Sequence, residues 1–106
     1  MKVKKQKEIP KNEFRKNKTN GHPAYFYARV DNEYKLIGIT HSAITQSTKN
    51  IKLDKNPNPK DKRCAYVKPY SEKEKTNKLK KKYVGWQFSI TDKLKINKLK
   101  NKKRTK

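Results

Sequence analysis

His22 and His41 are the two histidines of the chain, and both stand beside residues that phosphate chemistry can use. Gly21-His22-Pro23 opens an alternating apolar segment, and Ile39-Thr40-His41-Ser42 closes the next one. If these segments pair as a hairpin, His22, Thr40, His41 and Ser42 meet at one end of a sheet. Imidazole titrates at about pH 6.5, so one ring can remove the proton of a ribose 2′-hydroxyl while the other returns one to the leaving 5′-oxygen. Thr40 and Ser42 can donate to a phosphate oxygen, and Lys49, Lys52 or Arg63 can stabilise charge developing at phosphorus. A plainer role competes: histidine and hydroxyl residues commonly cap strand ends, and His22 before Pro23 fixes the angle at which the chain enters the strand.

The surroundings of these residues are strongly cationic. Lys and Arg total 31 against 9 Asp and Glu, a formal net charge of +22 that no internal pairing can cancel. An external polyanion must supply the counter-charge, and nucleic acid is the first expectation, RNA ahead of DNA, bound mainly through phosphates with weak sequence preference. A Lys/Asn/Ile-rich composition can also come from an AT-rich genome, but that bias would raise Glu as well, and Glu is scarce. The charge is uneven. Residues 1–20 carry 8 basic and 2 acidic residues, residues 21–70 carry 9 and 4, and residues 71–106 carry 14 and 3. The expected organisation is a basic N-terminal arm over 1–20, one small domain over 21–99 containing a charged connector at 71–82, and a basic tail over 100–106. Arm and tail are expected to be disordered or to order on contact with phosphate.

Several function classes are disfavoured. The single cysteine, Cys64, excludes an intramolecular disulfide, and with two histidines it falls short of a structural zinc pattern. Cys64 is expected to be buried or half-buried. No Walker loop, G-x-G-x-x-G, H-E-x-x-H or magnesium-holding carboxylate cluster is present, so neither a metal nor another cofactor is expected. No apolar run approaches the roughly 18 residues of a spanning helix, and no apolar signal region opens the chain, so no membrane partner and a cytoplasmic location are expected.

A chain of 106 residues builds one small core. Ala24, Phe26, Ala28 and Val30 alternate with Tyr25, Tyr27 and Arg29, the period of a strand, and Glu33 to Thr40 supplies its partner after an Asp31-Asn32 turn. A two-residue loop pairs Phe26 with Ile37, Ala24 with Ile39, Tyr27 with Leu36, Arg29 with Tyr34, and Tyr25 with Gly38, whose missing side chain the tyrosine ring would cover. Further strands are expected at Asn50 to Leu53 and Cys64 to Lys68, joined by a stiff exposed turn over Asn56 to Asp61. Trp86 is expected to plug the core. Ser89 to Asp92 fits a capping box opening a helix whose apolar face is set by Ile90 and Leu94, with Ile96 and Leu99 less well aligned. The fold class is therefore α+β: a small curled antiparallel sheet, an SH3-like barrel or half-barrel, with a C-terminal helix.

The expected contacts to nucleic acid are Arg29, Lys35, Lys49, Lys52, Lys60, Lys62, Arg63, Lys80, Lys81, Lys82, Lys95, Lys98, Lys102, Lys103 and Arg104. Tyr25, Tyr27, Tyr34 and Tyr66 are the first candidates for stacking on unpaired bases, and Tyr70 and Trp86 also lie among lysines where an exposed ring could stack, although a tyrosine here is more often a core residue.

Pro23 behind a basic-type residue, followed by a hairpin ending in Ile39-Thr40-His41-Ser42, resembles the MazF/PemK-like and ToxN-like toxins over about residues 21–53. The resemblance implies an SH3-like-barrel, metal-independent endoribonuclease of a toxin–antitoxin or phage-related system, with an antitoxin as partner. The chain departs from that pattern at His22, where the family usually carries Arg, and an imidazole cannot form a bidentate fork on phosphate. A third expectation from the same charge is a phage or mobile-element accessory or inhibitor protein that docks on a host ribonucleoprotein or nucleic-acid enzyme.

Overall fold

The alternation on either side of the expected turn produces two paired strands, β2 (Pro23–Val30) and β3 (Glu33–Thr40), and the rest of the sheet is assembled on β3. The computed structural model describes residues 9–17, 21–30, 33–75, 80–100 and 102. β1 (Ile9–Lys16) lies antiparallel along the other side of β2. The second edge of β3 is divided between two partners. β8 (Glu72–Lys75) takes its first half, from Glu33↔Lys75 to Leu36↔Glu72, and β7 (Tyr66–Val67) takes Ile39 and Thr40. β6 (Ile51–Lys52) follows β7, giving the antiparallel order β1-β2-β3-β7-β6 with β8 paired to β3. β4 (Ile44–Thr45) and β5 (Thr48–Lys49) make a separate hairpin, and α1 (Ile90–Leu99) is the one helix among the described residues. The architecture is α+β with an antiparallel sheet and a C-terminal helix. The sheet is open, since no pairing joins β1 to β6 among the described residues.

The β2–β3 register holds as expected next to the turn, where Arg29 faces Tyr34, and slips by one residue beyond it. A bulge between Phe26 and Ala28 is responsible. It puts Ala28 on the same face as Tyr25 and Tyr27, among Ile37, Ile39 and Val67, while Ala24, Phe26, Tyr34 and Leu36 form a second cluster. A bulge adds one residue to one strand and so reverses every facing beyond it. Gly38 consequently pairs with Ala24 instead of Tyr25, and the stem of Lys68 and the carboxylate of Glu72 stand over it.

Two segments expected to lie outside the sheet belong to it. Residues 9–17, assigned by charge to the N-terminal arm, contain β1, whose Phe14 is buried in the main core. Residues 72–75, assigned to the charged connector, are β8, with Glu74 buried and Lys73 and Lys75 exposed. Charge density disqualified neither segment, because backbone ladder bonds to an open edge do not depend on side-chain polarity and alternation turns the lysines outward. Two carbonyls near the chain end are bonded to the domain: that of Lys100 accepts from the Tyr27 hydroxyl at 2.7 Å and that of Lys102 from the Ser71 amide at 2.8 Å. The Asp31-Asn32 turn lies outside the described residues, as do Lys103 and Arg104.

The helix packs by the face the sequence pattern ranked second. Ile96 is 2% exposed and Leu99 is buried beside it, whereas Leu94 is 61% exposed and Ile90 is exposed as well. Asp92 explains the rotation. Ser89 caps the helix, its hydroxyl accepting from the Asp92 amide at 3.2 Å, but the Asp92 carboxylate does not complete a capping box. It turns inward, fully buried, and accepts from the Asp54 and Lys55 amides at 2.8 and 3.1 Å. Lys95 braces the same joint, donating to the Lys52 carbonyl at 3.1 Å and to Asp54 at 2.9 Å, with Asp92 at 3.4 Å. With Asp92 pinned to the turn after β6, Ile96 and Leu99 are the apolar residues left facing the sheet.

Replacing Ile96 by Ala is expected to cost about 2–4 kcal/mol in urea denaturation, against no more than about 0.5 kcal/mol for Leu94→Ala. Equal effects would contradict this helix orientation. Asp92→Ala removes a buried carboxylate that satisfies the Asp54 and Lys55 amides and should cost roughly 2–4 kcal/mol, with a clearly smaller loss for Asp92→Asn, which keeps one acceptor oxygen.

Candidate nucleic-acid interface

At the sheet end, Ala24↔Gly38 pairing carries the chain into His22 on one side and Thr40 on the other, and both line one cavity of about 360 Å³. Lys68, Tyr70 and Glu72 line it too, with Thr45 and Gln46 from the β4–β5 hairpin. That hairpin turns on Gln46 and Ser47, both with positive φ, at 47° and 67°; its Gln-Ser sequence carries none of the usual Asn-Gly signal, and it had no counterpart in the sequence pattern. His41 and Ser42 are not among the lining residues. The His41 Nε2 lies 3.1 Å from Asp61, and the Ser42 amide donates to the Thr40 hydroxyl at 3.2 Å. The four expected catalytic residues are thus divided: His22 and Thr40 are at the cavity, His41 is turned toward Asp61 in the loop over 56–63, and Ser42 is bonded to Thr40 and Asn50.

That loop is a succession of side-chain-closed turns. Asn56 accepts from the Asn58 amide and Asn58 from the Lys60 amide, while Asn56 donates to the Arg63 carbonyl. Pro57 is fully buried at its base, so the turn is anchored on one side and exposed at Pro59 and Lys60. Cys64 beyond it is exposed, which corrects the expectation of a buried thiol.

Exposure sorts the expected cationic contacts. Lys49, Lys52, Lys60, Lys62, Lys80, Lys81, Lys98 and Lys102 are exposed and hold no ion pair among the described residues. Arg63 is engaged by Asp61, Lys82 by Glu13 and Lys95 by Asp54 and Asp92, so Lys95 in particular is a structural brace. Arg29 lies 5.7 Å from the Tyr34 ring, and Lys35 faces Lys73 across the β3–β8 pair.

The expected stacking residues are mostly core. Tyr25, Tyr27 and Tyr34 are 9%, 6% and 8% exposed, and only Tyr66 is half-buried. Burial raises the pKa of the Tyr25 phenol, which stays a donor to Asn12 Oδ1 at 2.6 Å. Trp86, expected to plug the core, is instead half-buried at its margin, as is Tyr83, and the two rings stack at 4.4 Å between centroids and 16° between planes. The lysine run is fixed beside them. Lys16 and Tyr83 amides bond to the Lys81 and Phe14 carbonyls at 2.8 and 2.7 Å, the Arg15 guanidinium reaches the Lys80 carbonyl, and Arg15 bridges Lys82. Residues 80–83 therefore run along the outer edge of β1 at its Phe14–Lys16 end, placing the Lys81 ammonium 5.9 Å from the Tyr83 ring.

Beyond Trp86 the surface opens into a second cavity of about 400 Å³ between β1, β2 and α1. Phe14, Tyr25 and Phe88 form its buried wall, with ring centroids 4.9–5.2 Å apart, and Trp86 stands 5.9 Å from Phe14. Asn12, Gln87, Lys93, Asn97 and Lys100 line it as well. Among the described residues, no three His, Cys, Asp or Glu side chains are grouped to hold a metal ion, and no helix is long and apolar enough to cross a membrane.

Asp61 accepts from the Arg63 guanidinium at 3.0 and 2.8 Å and from the Arg63 amide at 3.0 Å, with His41 adding a smaller attraction. These contacts, the Arg63 side chain first, hold its carboxyl well below the usual carboxylate range. A group depressed in the folded chain contributes stability above its ordinary pKa of about 3.9 and loses that contribution as pH falls through the folded value. Carboxyl-carbon NMR should find Asp61 still ionised at about pH 3, and Arg63→Ala should return it toward about 3.9. An unchanged titration in that variant would contradict the assignment. Comparison of the chain with protein-family models, with curated proteins and with solved structures gave no match.

Proposed function

We infer that the protein binds single-stranded nucleic acid, RNA in preference to DNA, chiefly through its phosphates. One observation carries the reading: five of the seven described carboxylates, Glu13, Glu33, Asp54, Asp61 and Asp92, are engaged by cationic side chains or His41, while a larger set of lysines is exposed with no ion pair among the described residues. The Lys80–Lys82 run ending in the Tyr83–Trp86 stack adds the second half of a single-strand site, cations tracking a backbone next to rings that accept bases. Such a surface binds by counter-ion release and discriminates little between sequences.

A second reading, a metal-independent endoribonuclease with an SH3-like half-barrel, is favoured by one observation: His22 and Thr40 share a cavity with Lys68 and Glu72, beside the positive-φ Gln46. His22 would exchange the proton there, and the separation of His41 toward Asp61 leaves no second imidazole lining the cavity.

Affinity for a single-stranded oligonucleotide, read by fluorescence anisotropy, should fall with salt with a log–log slope of about −0.7 per phosphate, so roughly −3 for four contacts. Replacing Lys80 and Lys81 by Gln should flatten that slope by about 1 unit or more. No binding at low salt would contradict the inference. For the second reading, incubation with labelled RNA in EDTA should give cleavage that His22→Ala abolishes; RNA left intact across many sequences would exclude it.

A further inference from the structure

We propose that the aromatic cavity between β1, β2 and α1 takes one unstacked nucleobase of a bound single strand, with Trp86 as the ring against which the base lies. This deepens the nucleic-acid reading above and rests on it. At about 400 Å³ the cavity sits at the small end of the roughly 300–1,000 Å³ range of small-ligand sites, which suits one heterocycle better than an extended ligand. Its back wall is aromatic on several sides, Phe14, Tyr25 and Phe88 meeting at tilted and edge-on angles, so a planar ring entering beside Trp86 meets both ring edges and a ring face.

The mouth differs from the wall in a way that an aliphatic ligand would not use. Asn12, Gln87 and Asn97 carry amides, groups with donors and an acceptor that match the edges of bases. Asn12 Oδ1 is already taken by the Tyr25 hydroxyl at 2.6 Å, which leaves its Nδ2 donors for a base carbonyl or ring nitrogen. Lys93 and Lys100 line the same cavity and provide the charge that the flanking phosphates of an inserted nucleotide require. Continuity supplies the strand. Trp86 belongs to the cavity and to the Tyr83 stack, and Lys81 lies over Tyr83, so cation, ring pair and cavity follow one another along one surface.

Trp86 is the only tryptophan in the chain, so its emission reports on this site alone. The full-length protein is titrated with a short single-stranded RNA, the matching DNA, an abasic oligomer of equal length and a mononucleotide. The RNA is expected to quench Trp86 and to bind roughly 5- to 100-fold more tightly than the abasic strand, the range of one base stacked on an aromatic ring. Trp86→Leu should bring that ratio close to 1, and Trp86→Phe should retain part of it. Asn97→Ala, on the exposed face of α1, tests the rim without touching the core and should lower the ratio by about threefold or more. Equal affinity for RNA and abasic strand with unquenched Trp86 overturns the base pocket and leaves phosphate binding standing. Absence of binding to every strand overturns the underlying reading instead. A mononucleotide that quenches Trp86 as tightly as the strand overturns the assignment to a polynucleotide.

Discussion

With 31 cationic side chains and 9 carboxylates, the chain must fold against its own charge, and the way the acids are used follows from that constraint. Few of them can be left for solvent. Asp92 is the clearest case: a fully buried carboxylate that joins the first turn of α1 to the turn after β6 through two amides, with Lys95 and Asp54 closing the joint from outside. Because that joint fixes the rotation of α1, it selects Ile96 and Leu99 as the face that covers Phe14, Tyr25 and Phe88. It thereby also shapes the aromatic cavity at the helix edge, whose wall includes Ile96. Asp61 ties His41 and Arg63 to one loop in the same manner, and Glu13 holds Arg15 and Lys82 along the sheet edge.

Using the acids internally sharpens the outer surface. Each carboxylate that pairs inside the fold is one that does not neutralise an exposed lysine, so the remaining cations act together on any approaching polyanion. The edge of β1 shows how structure and surface coincide. Residues 80–83 line the Phe14–Lys16 end of that edge, which sets three consecutive lysines beside two stacked rings.

Much of the sheet was legible in the sequence because it rests on local alternation. The β2–β3 hairpin, including Arg29 opposite Tyr34, and the strands near Ile51 and Tyr66 follow from period-2 patterning. What the pattern did not carry was non-local. Nothing in Tyr-Phe-Tyr-Ala announces the bulge at Tyr27, and nothing in Asn-Glu-Phe-Arg announces that Phe14 enters the core from within a cationic segment. The serine of the expected capping box was readable, whereas the diversion of Asp92 to amides 37 and 38 residues away depends on where the helix docks. The aromatic exposures have a similar cause: tyrosines on a twice-paired strand are sealed by both neighbours, while Trp86 sits where the chain turns into the helix, half-buried and lining the cavity. At the sheet end, pairing delivered His22 and Thr40 to one cavity as the hairpin implied, but the next residue turned His41 toward Asp61.

One continuous surface, from the Lys80–Lys82 run through Trp86 to the rim of α1, is proposed to receive a single strand. Amide chemical-shift mapping with a short single-stranded RNA tests it without altering any residue. Shifts are expected at residues 80–87, at Asn12 and around Lys93 to Lys100, fading as salt rises. Shifts confined to His22, Thr40 and the β4–β5 hairpin, or none at low salt, would contradict it.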